Sequence, residues 1–169
     1  QFVEQGNPTS ACSLPDGRIA IGSLTGGLAI VSADGSDVKV IDRAHGLPNQ
    51  SIFQVSAGSD NTLWCAMPTH VAAIDTSQSR EYWKIIDTPA ENTNSVSTAG
   101  GKIWLATNDG AYRFVNGAIH RVGDGYFFDT IASESNVLFT TPGSIEELTG
   151  ERLTTVLAGT SDIIHISAS

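Results

Sequence analysis

Cysteine and long apolar runs are the scarcest features of this chain of 169 residues. Two cysteines, Cys12 and Cys65, are too few for a disulfide framework, and their spacing is not that of metal ligands. No stretch approaches the roughly 18 consecutive apolar residues of a membrane-spanning helix, and no basic-then-apolar leader opens the chain. A disulfide-stapled scaffold is therefore excluded, and we expect no direct membrane insertion by this segment.

Basic residues are also few. The 18 Asp and Glu residues outnumber the 9 Lys and Arg residues, which gives a formal net charge of −9. Such a charge repels phosphate backbones and anionic lipid surfaces, so we expect no nucleic acid partner. The hydrophobic content of 40% can still supply a core, and this length is usual for one domain.

Internal repetition is the feature that the chain has in abundance. Residues 101–122 align without a gap on residues 135–156, an offset of 34 (101 to 135), with apolar residue on apolar residue at six positions. A third copy begins at Asn61, an offset of 40 (61 to 101). A fourth begins at Gly17 and needs one inserted residue, an offset of 44 (17 to 61). The sequence is therefore that of a repeat protein.

The pattern inside each copy is that of short strands. The second segment is an unbroken apolar run, as in Leu63–Met67 and Ile103–Ala106, which is typical of a strand covered on both faces. The last segment carries charge, as at Lys39, which is typical of an exposed edge strand. Turn signals such as Asp34–Gly35 separate the strands, and all six prolines fall in predicted connections. No helical periodicity of useful length is present.

A four-stranded sheet repeated about every 40 residues is the arrangement of a β-propeller blade. We therefore predict an all-β fold: a β-propeller-type array of about four four-stranded antiparallel blades, forming one domain over residues 1–169. The predicted repeats are approximately 10–43, 51–87, 95–123 and 128–158, with 162–168 beginning a further blade. Because the chain then ends within a blade, we expect a partial propeller whose open apolar faces favour self-association. Closure of four blades into a small ring, or of two chains into one ring, stays open.

Nearly the whole chain resembles the two-component regulator propeller repeat. His45–Ile52 carries the Gly-Leu-Pro corner of that repeat, Asn61–Ala66 its Leu-Trp strand, and Val71–Asp75 its apolar ending with aspartate. Ile103–Thr107 repeats the pattern well. The chain departs from the family in having a single Gly-Leu-Pro corner and in having His70 where the family has glycine.

This resemblance implies an extracytoplasmic sensory propeller from a membrane-bound two-component sensor kinase, often of a hybrid kind that responds to carbohydrate. It implies a periplasmic or extracellular bacterial location. The kinase is absent from these residues, so we expect a non-catalytic segment without a cofactor. Its expected partner is a small molecule, an oligosaccharide or a protein.

The Gly-Leu-Pro corner is predicted to lead from the outer strand of one blade to the inner strand of the next, with Leu47 filling apolar surface between them. The corner then lies on the propeller face where loops gather and where ligands are most often bound. Nine loop residues are candidates for ligand binding: Arg43, His45, Asn49, His70, Glu91, Asn94, Asp109, Asp124 and Tyr126.

Two other functions are compatible with the same pattern. The first is a protein-binding propeller within an assembly, and the second is a propeller lyase, for which the fold is the only resemblance. A lyase needs a base and an electrophile in one loop cluster, and Arg43, His45 and His70 are the only trio worth testing. The four histidines lie in different copies without the spacing of metal ligands, so no metal site is predicted. The two cysteines are expected to be buried free thiols.

Overall fold

The computed structural model describes residues 6–58, 60–78 and 83–159, which contain sixteen strands and one 3₁₀ turn. In chain order the strands are β1 (Pro8–Ser13), β2 (Ile19–Ser23), β3 (Leu28–Val31), β4 (Val38–Ile41), β5 (Gln54–Ala57), β6 (Thr62–Ala66), β7 (His70–Asp75), β8 (Trp83–Asp87), β9 (Thr93–Ala99), β10 (Lys102–Thr107), β11 (Gly110–Val115), β12 (Ala118–Asp124), β13 (Asp129–Ala132), β14 (Val137–Thr140), β15 (Ser144–Thr149) and β16 (Arg152–Ala158). The 3₁₀ turn is Arg43–His45. The further blade predicted at 162–168 lies outside the described residues.

Each set of four consecutive strands forms one antiparallel sheet with its strands in chain order. These sheets are blade 1 (β1–β4), blade 2 (β5–β8), blade 3 (β9–β12) and blade 4 (β13–β16). The predicted fold class, an all-β propeller-type array of four-stranded antiparallel blades, is confirmed. The chain divides into two compact units, residues 1–87 with blades 1 and 2 and residues 88–169 with blades 3 and 4.

The second and third strands of every blade pair in the same register. The equivalent pairs are Ala20 with Ile30, Trp64 with Ala73, Trp104 with Arg113 and Leu138 with Glu147. The second strands are the most buried in blades 2 and 3, whereas the outer strands β4, β8, β12 and β16 are largely exposed, as their charged residues predict. Because side chains alternate between faces, one register gives all four blades equivalent faces.

One proline departs from the prediction that all six lie in connections. Pro8 is the first residue of β1. A proline at the first position of a strand does not interrupt the ladder, since its missing N–H lies at the end of the pairing.

The core of the first unit lies between one face of blade 1 and one face of blade 2. Buried residues from both blades and from the corner between them form one apolar cluster: Leu14, Ala20, Leu28, Ile30, Ile41, Leu47, Ile52, Val55, Leu63, Cys65, Met67, Ala72 and Ile74. The predicted role of Leu47 in filling apolar surface at the corner is confirmed. Gly22 allows the corner to pack closely, because a Cβ on it would lie 2.7 Å from Cγ2 of Ile52.

One core cluster of the second unit lies between blades 3 and 4 and is rich in aromatic rings. Trp104, Ala106 and Ala111 of blade 3 cluster with Phe127, Val137 and Phe139. The rings of Phe127 and Phe139 meet edge to face with their centroids 5.7 Å apart. Such pairs contribute about 0.5–1.5 kcal/mol beyond the burial of their area. The N–H of Phe127 donates to the carbonyl oxygen of Thr107, as that of Ile52 donates to Ser23, so Phe127 has before blade 4 the place that Ile52 has before blade 2.

Two adjacent residues of β1 tie blade 1 to the start of blade 2. The Thr9 hydroxyl donates to the carbonyl oxygen of Ile52 at 2.8 Å. The backbone N–H of Val55 donates to the Ser10 hydroxyl, also at 2.8 Å. The corner before blade 2 and the inner strand β5 are thus held in place by side chains of blade 1.

The same arrangement recurs in the second unit. The side-chain amide of Asn94 donates to the carbonyl oxygen of Phe127 at 2.7 Å, and the N–H of Thr130 donates to the Ser95 hydroxyl at 3.2 Å. The Ser95 hydroxyl also donates to the buried carboxylate of Asp129. The pair Asn94 and Ser95 therefore does in blade 3 what Thr9 and Ser10 do in blade 1.

Both cysteines are free thiols on the facing sides of blades 1 and 2. Cys65 is buried as expected, whereas Cys12, near the inner edge of blade 1, is only partly buried. Burial raises the pKa of Cys12 to about 11, against the opposing effect of a hydrogen bond to the Ala57 backbone. Complete burial raises the pKa of Cys65 further. The thiolate is the reactive form, so both thiols are protected from alkylation in the folded chain.

We therefore predict slow alkylation of Cys12 by iodoacetamide at mildly alkaline pH. A rise of two units from the ordinary pKa of 9.0 leaves about a hundredfold less thiolate. Mass spectrometry of timed samples should show Cys12 reacting about a hundredfold more slowly than in urea, with Cys65 slower still. Equal rates in folded and unfolded chains would contradict the packing of blade 1 on blade 2.

Candidate ligand-binding site

The corner after blade 1 is organised around Asp42. Its carboxylate accepts a hydrogen bond from the N–H of Ala44 at 2.8 Å and contacts Nδ1 of His45 at 2.9 Å. The hydrogen bond to His45 lowers the pKa of Asp42. Gly46 ends the 3₁₀ turn with a φ of +83°, a conformation that favours glycine. Among the predicted site residues, Arg43 and His45 are exposed on this turn.

The two other predicted residues of the first unit have different surroundings. The Asn49 side chain accepts a hydrogen bond from the N–H of Ser51 at 3.0 Å, a local turn contact. His70 begins β7, where Nδ1 contacts the Thr69 hydroxyl at 2.7 Å and Nε2 lies 3.3 Å from Asp87. His45 and His70 thus bind two different aspartates, and no contact among the described residues joins the trio that a lyase would need.

In the second unit, four of the five predicted residues lie on or beside the corner that leads into blade 4. Asn94 donates to the corner at Phe127, and the N–H of Gly125 donates to the backbone oxygen of Asp109 at 3.3 Å. The Tyr126 ring is 44% exposed and meets Phe128 edge to face, with centroids 4.7 Å apart. Glu91 is exposed in the connection before β9.

Asp109 and Asp124 are brought together by an arginine. Arg121 on β12 donates to Asp109 at 2.9 Å and to Asp124 at 2.6 Å. It also donates to the hydroxyl of Tyr112 and lies over that ring at 5.1 Å from the centroid. We call Asp109, Tyr112, Arg121 and Asp124 the blade 3 rim cluster.

The fold positions this cluster through the hairpin between β10 and β11. The hydroxyl of Thr107 lies 2.8 Å from the carboxylate of Asp109 and 2.7 Å from the carbonyl oxygen of Gly110, so its single proton serves one or the other acceptor, and it accepts from the N–H of Gly110. Tyr112 and Arg121 are cross-strand partners at a register shift between Ala111 and Tyr112. Such an irregularity re-aims side chains at the end of a ladder.

The cluster keeps its charges and stays accessible. The hydrogen bond to Asp124, followed by that to Tyr112, raises the pKa of Arg121, so the guanidinium is charged. Burial is the main cause that raises the pKa of Tyr112, so its hydroxyl remains a donor. The side chains of Asp109 and Arg121 are each 44% exposed and that of Asp124 is 86% exposed. The cluster therefore offers both donors and acceptors to a polar ligand.

Sequence reasoning finds the two aspartates of the cluster but misses Tyr112 and Arg121. Both missed residues lie on strands, whereas the candidates were chosen from loops. A signal was available, because Tyr112 and Arg121 face each other once the hairpin Asn116–Gly117 fixes the pairing of β11 with β12.

Across residues 6–58, 60–78 and 83–159, no group of three or more His, Cys, Asp or Glu side chains is placed to hold a metal ion. In the same parts of the chain, no helix has the length and apolar character needed to span a bilayer.

Solved propeller structures are similar to this chain at low sequence identity. The extracellular domain of a putative hybrid two-component system from B. thetaiotaomicron matches 95% of the chain with a TM-score of 0.75 and 15% identity. The WD40 β-propeller domain of Doa1 matches 95% at a TM-score of 0.73 and 14% identity. Virginiamycin B lyase from Staphylococcus aureus matches 92% of the chain with a TM-score of 0.74 and 16% identity. No family model and no curated protein sequence matches the chain.

These similarities establish the fold class. The chain spans 23% of the length of the two-component extracellular domain, 58% of the Doa1 domain and 57% of the lyase. The chain therefore has the fold of a segment of a β-propeller domain, a class that includes extracellular domains of two-component systems as well as WD40 domains and a lyase.

Proposed function

We propose that this chain is a non-catalytic, ligand-binding part of the extracytoplasmic sensory propeller of a two-component signalling protein, located in the periplasm or outside the cell. The blade 3 rim cluster is the observation that carries the binding role. The similarity in fold to an extracellular domain of a hybrid two-component system supports the signalling context, as does the resemblance of His45–Asp75 to the regulator propeller repeat.

The proposed ligand is a neutral oligosaccharide bound at the blade 3 rim cluster. Sugar hydroxyls donate and accept hydrogen bonds at once, and the cluster supplies two carboxylates, a guanidinium and a phenol within one hydrogen-bonded group. The exposed ring of Tyr126, on the corner next to Asp124, supplies an apolar surface for a sugar face. The net charge of −9 disfavours polyuronates and other anionic polymers.

Binding of neutral oligosaccharides tests this proposal. We expect one or more members of a panel of malto-, xylo- and arabino-oligosaccharides to shift NMR signals of the rim cluster. Arg121→Ala should weaken that binding at least about tenfold. The guanidinium holds both aspartates in place, so its loss removes about 1.4 kcal/mol or more of the binding free energy. Asp109→Asn should weaken binding in the same direction.

Arg152→Ala is the matched control, since Arg152 is an exposed arginine at the start of β16 and outside the cluster. This variant should bind like the wild type. Equal losses for Arg121→Ala and Arg152→Ala would show that general charge, and not the cluster, governs binding. Wild-type signals that stay unmoved by every sugar would refute the proposed ligand class, and turnover of any sugar would refute the non-catalytic role.

A further inference from the structure

A register shift recurs in the outer strand pairs of blades 3 and 4. β11 and β12 shift between Ala111 and Tyr112, and β15 and β16 shift between Ile145 and Glu146, which is the equivalent place in the shared register. The outer pairs of blades 1 and 2 keep one register over their described residues. The shift in blade 3 aims the side chains of the blade 3 rim cluster, so the same shift aims Glu146 and its partner in blade 4.

Glu146 is the centre of a polar cluster at this shift. Its cross-strand partner is Thr155, which has the place of Arg121 in blade 3. The hydroxyls of Ser144 and Thr155 both donate to the carboxylate of Glu146, the second at 2.9 Å. The hydroxyl of Thr141 lies 2.7 Å from that of Ser144. We call Thr141, Ser144, Glu146 and Thr155 the blade 4 rim cluster.

A carboxylate at this position departs from the pattern of the other blades. Glu146 is half-buried on the face of blade 4 that packs on blade 3, beside its completely buried cross-strand partner Phe139. Its counterparts in blades 1 and 2 are the buried Ala29 and Ala72. Within the described ranges Glu146 has hydroxyl donors but no basic partner. A half-buried carboxylate without a counter-ion is costly, and such departures from the local pattern occur at functional sites.

Both rim clusters lie beside the corner that carries Tyr126. Asp124 of the blade 3 rim cluster is the last strand residue before this corner. The preceding residue, Gly123, packs so closely on blade 4 that a Cβ on it would collide with Cδ1 of Leu153. Thr155 lies two residues beyond Leu153 on the same face of the same strand, about 7 Å along it. One elongated ligand that crosses the corner can therefore reach both clusters.

We propose that the blade 4 rim cluster is a second subsite for the oligosaccharide that binds the blade 3 rim cluster, an inference that rests on the proposed function. Packed sheets lie about 10 Å apart, a distance that a single sugar ring does not span, so the ligand is a chain of three or more sugars. In the second subsite the carboxylate of Glu146 accepts hydrogen bonds from sugar hydroxyls. Carboxylates outnumber the guanidinium of Arg121 in the two clusters, which favours a neutral chain over an anionic one.

A length series of one sugar tests this proposal. Isothermal titration calorimetry with the disaccharide to the hexasaccharide of a sugar that binds the wild type should show a rise in affinity of about tenfold or more between the disaccharide and the tetrasaccharide, the usual contribution of hydrogen bonds to a charged group. Glu146→Ala should bind the disaccharide like the wild type and lose this rise. Alanine is the residue of blades 1 and 2 at this position, so the variant should keep its circular dichroism spectrum.

Glu147→Ala is the matched control. Glu147 is the adjacent carboxylate, but it pairs with Leu138 and lies on the opposite face of blade 4. This variant removes the same charge and should keep the rise in affinity with length.

Three results would overturn the second subsite and leave binding at the blade 3 rim cluster in place. They are a wild type that binds the tetrasaccharide no more tightly than the disaccharide, a rise that survives Glu146→Ala, and an equal loss of the rise in Glu146→Ala and Glu147→Ala. Binding of no sugar of any length would refute the proposed function, and the second subsite with it.

Discussion

Phe139→Ala should lower the free energy of unfolding of the second unit by about 3–5 kcal/mol. The Phe139 side chain is completely buried and meets the ring of Phe127 edge to face. Truncation leaves a cavity between blades 3 and 4, because Phe139 packs at the centre of the cluster that joins them. The loss is large against the stability of 5–15 kcal/mol that is usual for domains. Urea denaturation followed by tryptophan fluorescence, to which Trp104 of this cluster contributes, would measure it.

Phe139→Leu is the matched control, because it keeps most of the apolar volume. We expect a smaller loss of about 1–2 kcal/mol from this change, and it remains measurable if the alanine variant does not fold. Tyr126→Ala changes an exposed ring at the neighbouring corner and should cost less than about 1 kcal/mol. If Phe139→Ala cost no more than Tyr126→Ala, Phe139 could not be the centre of the packing of blade 4 on blade 3.

Gly27→Ala should destabilise the first unit by about 2–4 kcal/mol. Gly27 has a φ of +78°, in the left-handed region. An alanine in this conformation lowers the free energy of unfolding by about 1 kcal/mol, because its Cβ disfavours the left-handed backbone. A Cβ there would also lie 2.6 Å from the carbonyl oxygen of Ile41 and 3.1 Å from Cδ2 of Leu47. Relieving such contacts in a packed region costs typically about 1–3 kcal/mol more. Urea denaturation monitored by circular dichroism would report the sum.

Gly35→Ala separates these two contributions. Gly35 has a similar φ of +73°, but nothing lies within 4 Å of the Cβ position. This variant should therefore lose only about 1 kcal/mol from the backbone conformation. Equal losses of unfolding free energy for the two variants would mean that the carbonyl oxygen of Ile41 does not crowd Gly27. That result would contradict the close packing of the residue before β3 against the end of β4.

The strands could be predicted from the sequence because each blade repeats the same alternation of turns and apolar runs. The apolar runs at β6 and β10 mark the buried second strands, and both are where the pattern predicts. The inner strands are less well predicted. The predicted repeat 51–87 starts at residue 51, but its inner strand begins only at Gln54, because Ile52 donates its N–H to Ser23 across the corner instead of joining the ladder. Such a long-range bond has no local signature.

The candidate site was harder to predict for a related reason. Asp109 and Asp124 could be found from their place beside turns, but Arg121 gathers them only because a register shift aims its side chain at both. The sequence predicts Asn94 as a loop residue able to reach a ligand, but Asn94 lies on β9. Its amide donates to Phe127, in the place where Thr9 donates to Ile52. Equivalence between blades shows this role, whereas the residue type alone does not.

The central claim is that one strand register recurs in all four blades and gives them equivalent faces. Cross-strand backbone NOEs in the isotopically labelled chain test it most directly. We expect NOEs for the pairs Ala20 with Ile30, Trp64 with Ala73, Trp104 with Arg113 and Leu138 with Glu147. A shift of one residue in any blade would turn its buried face outward and contradict the account.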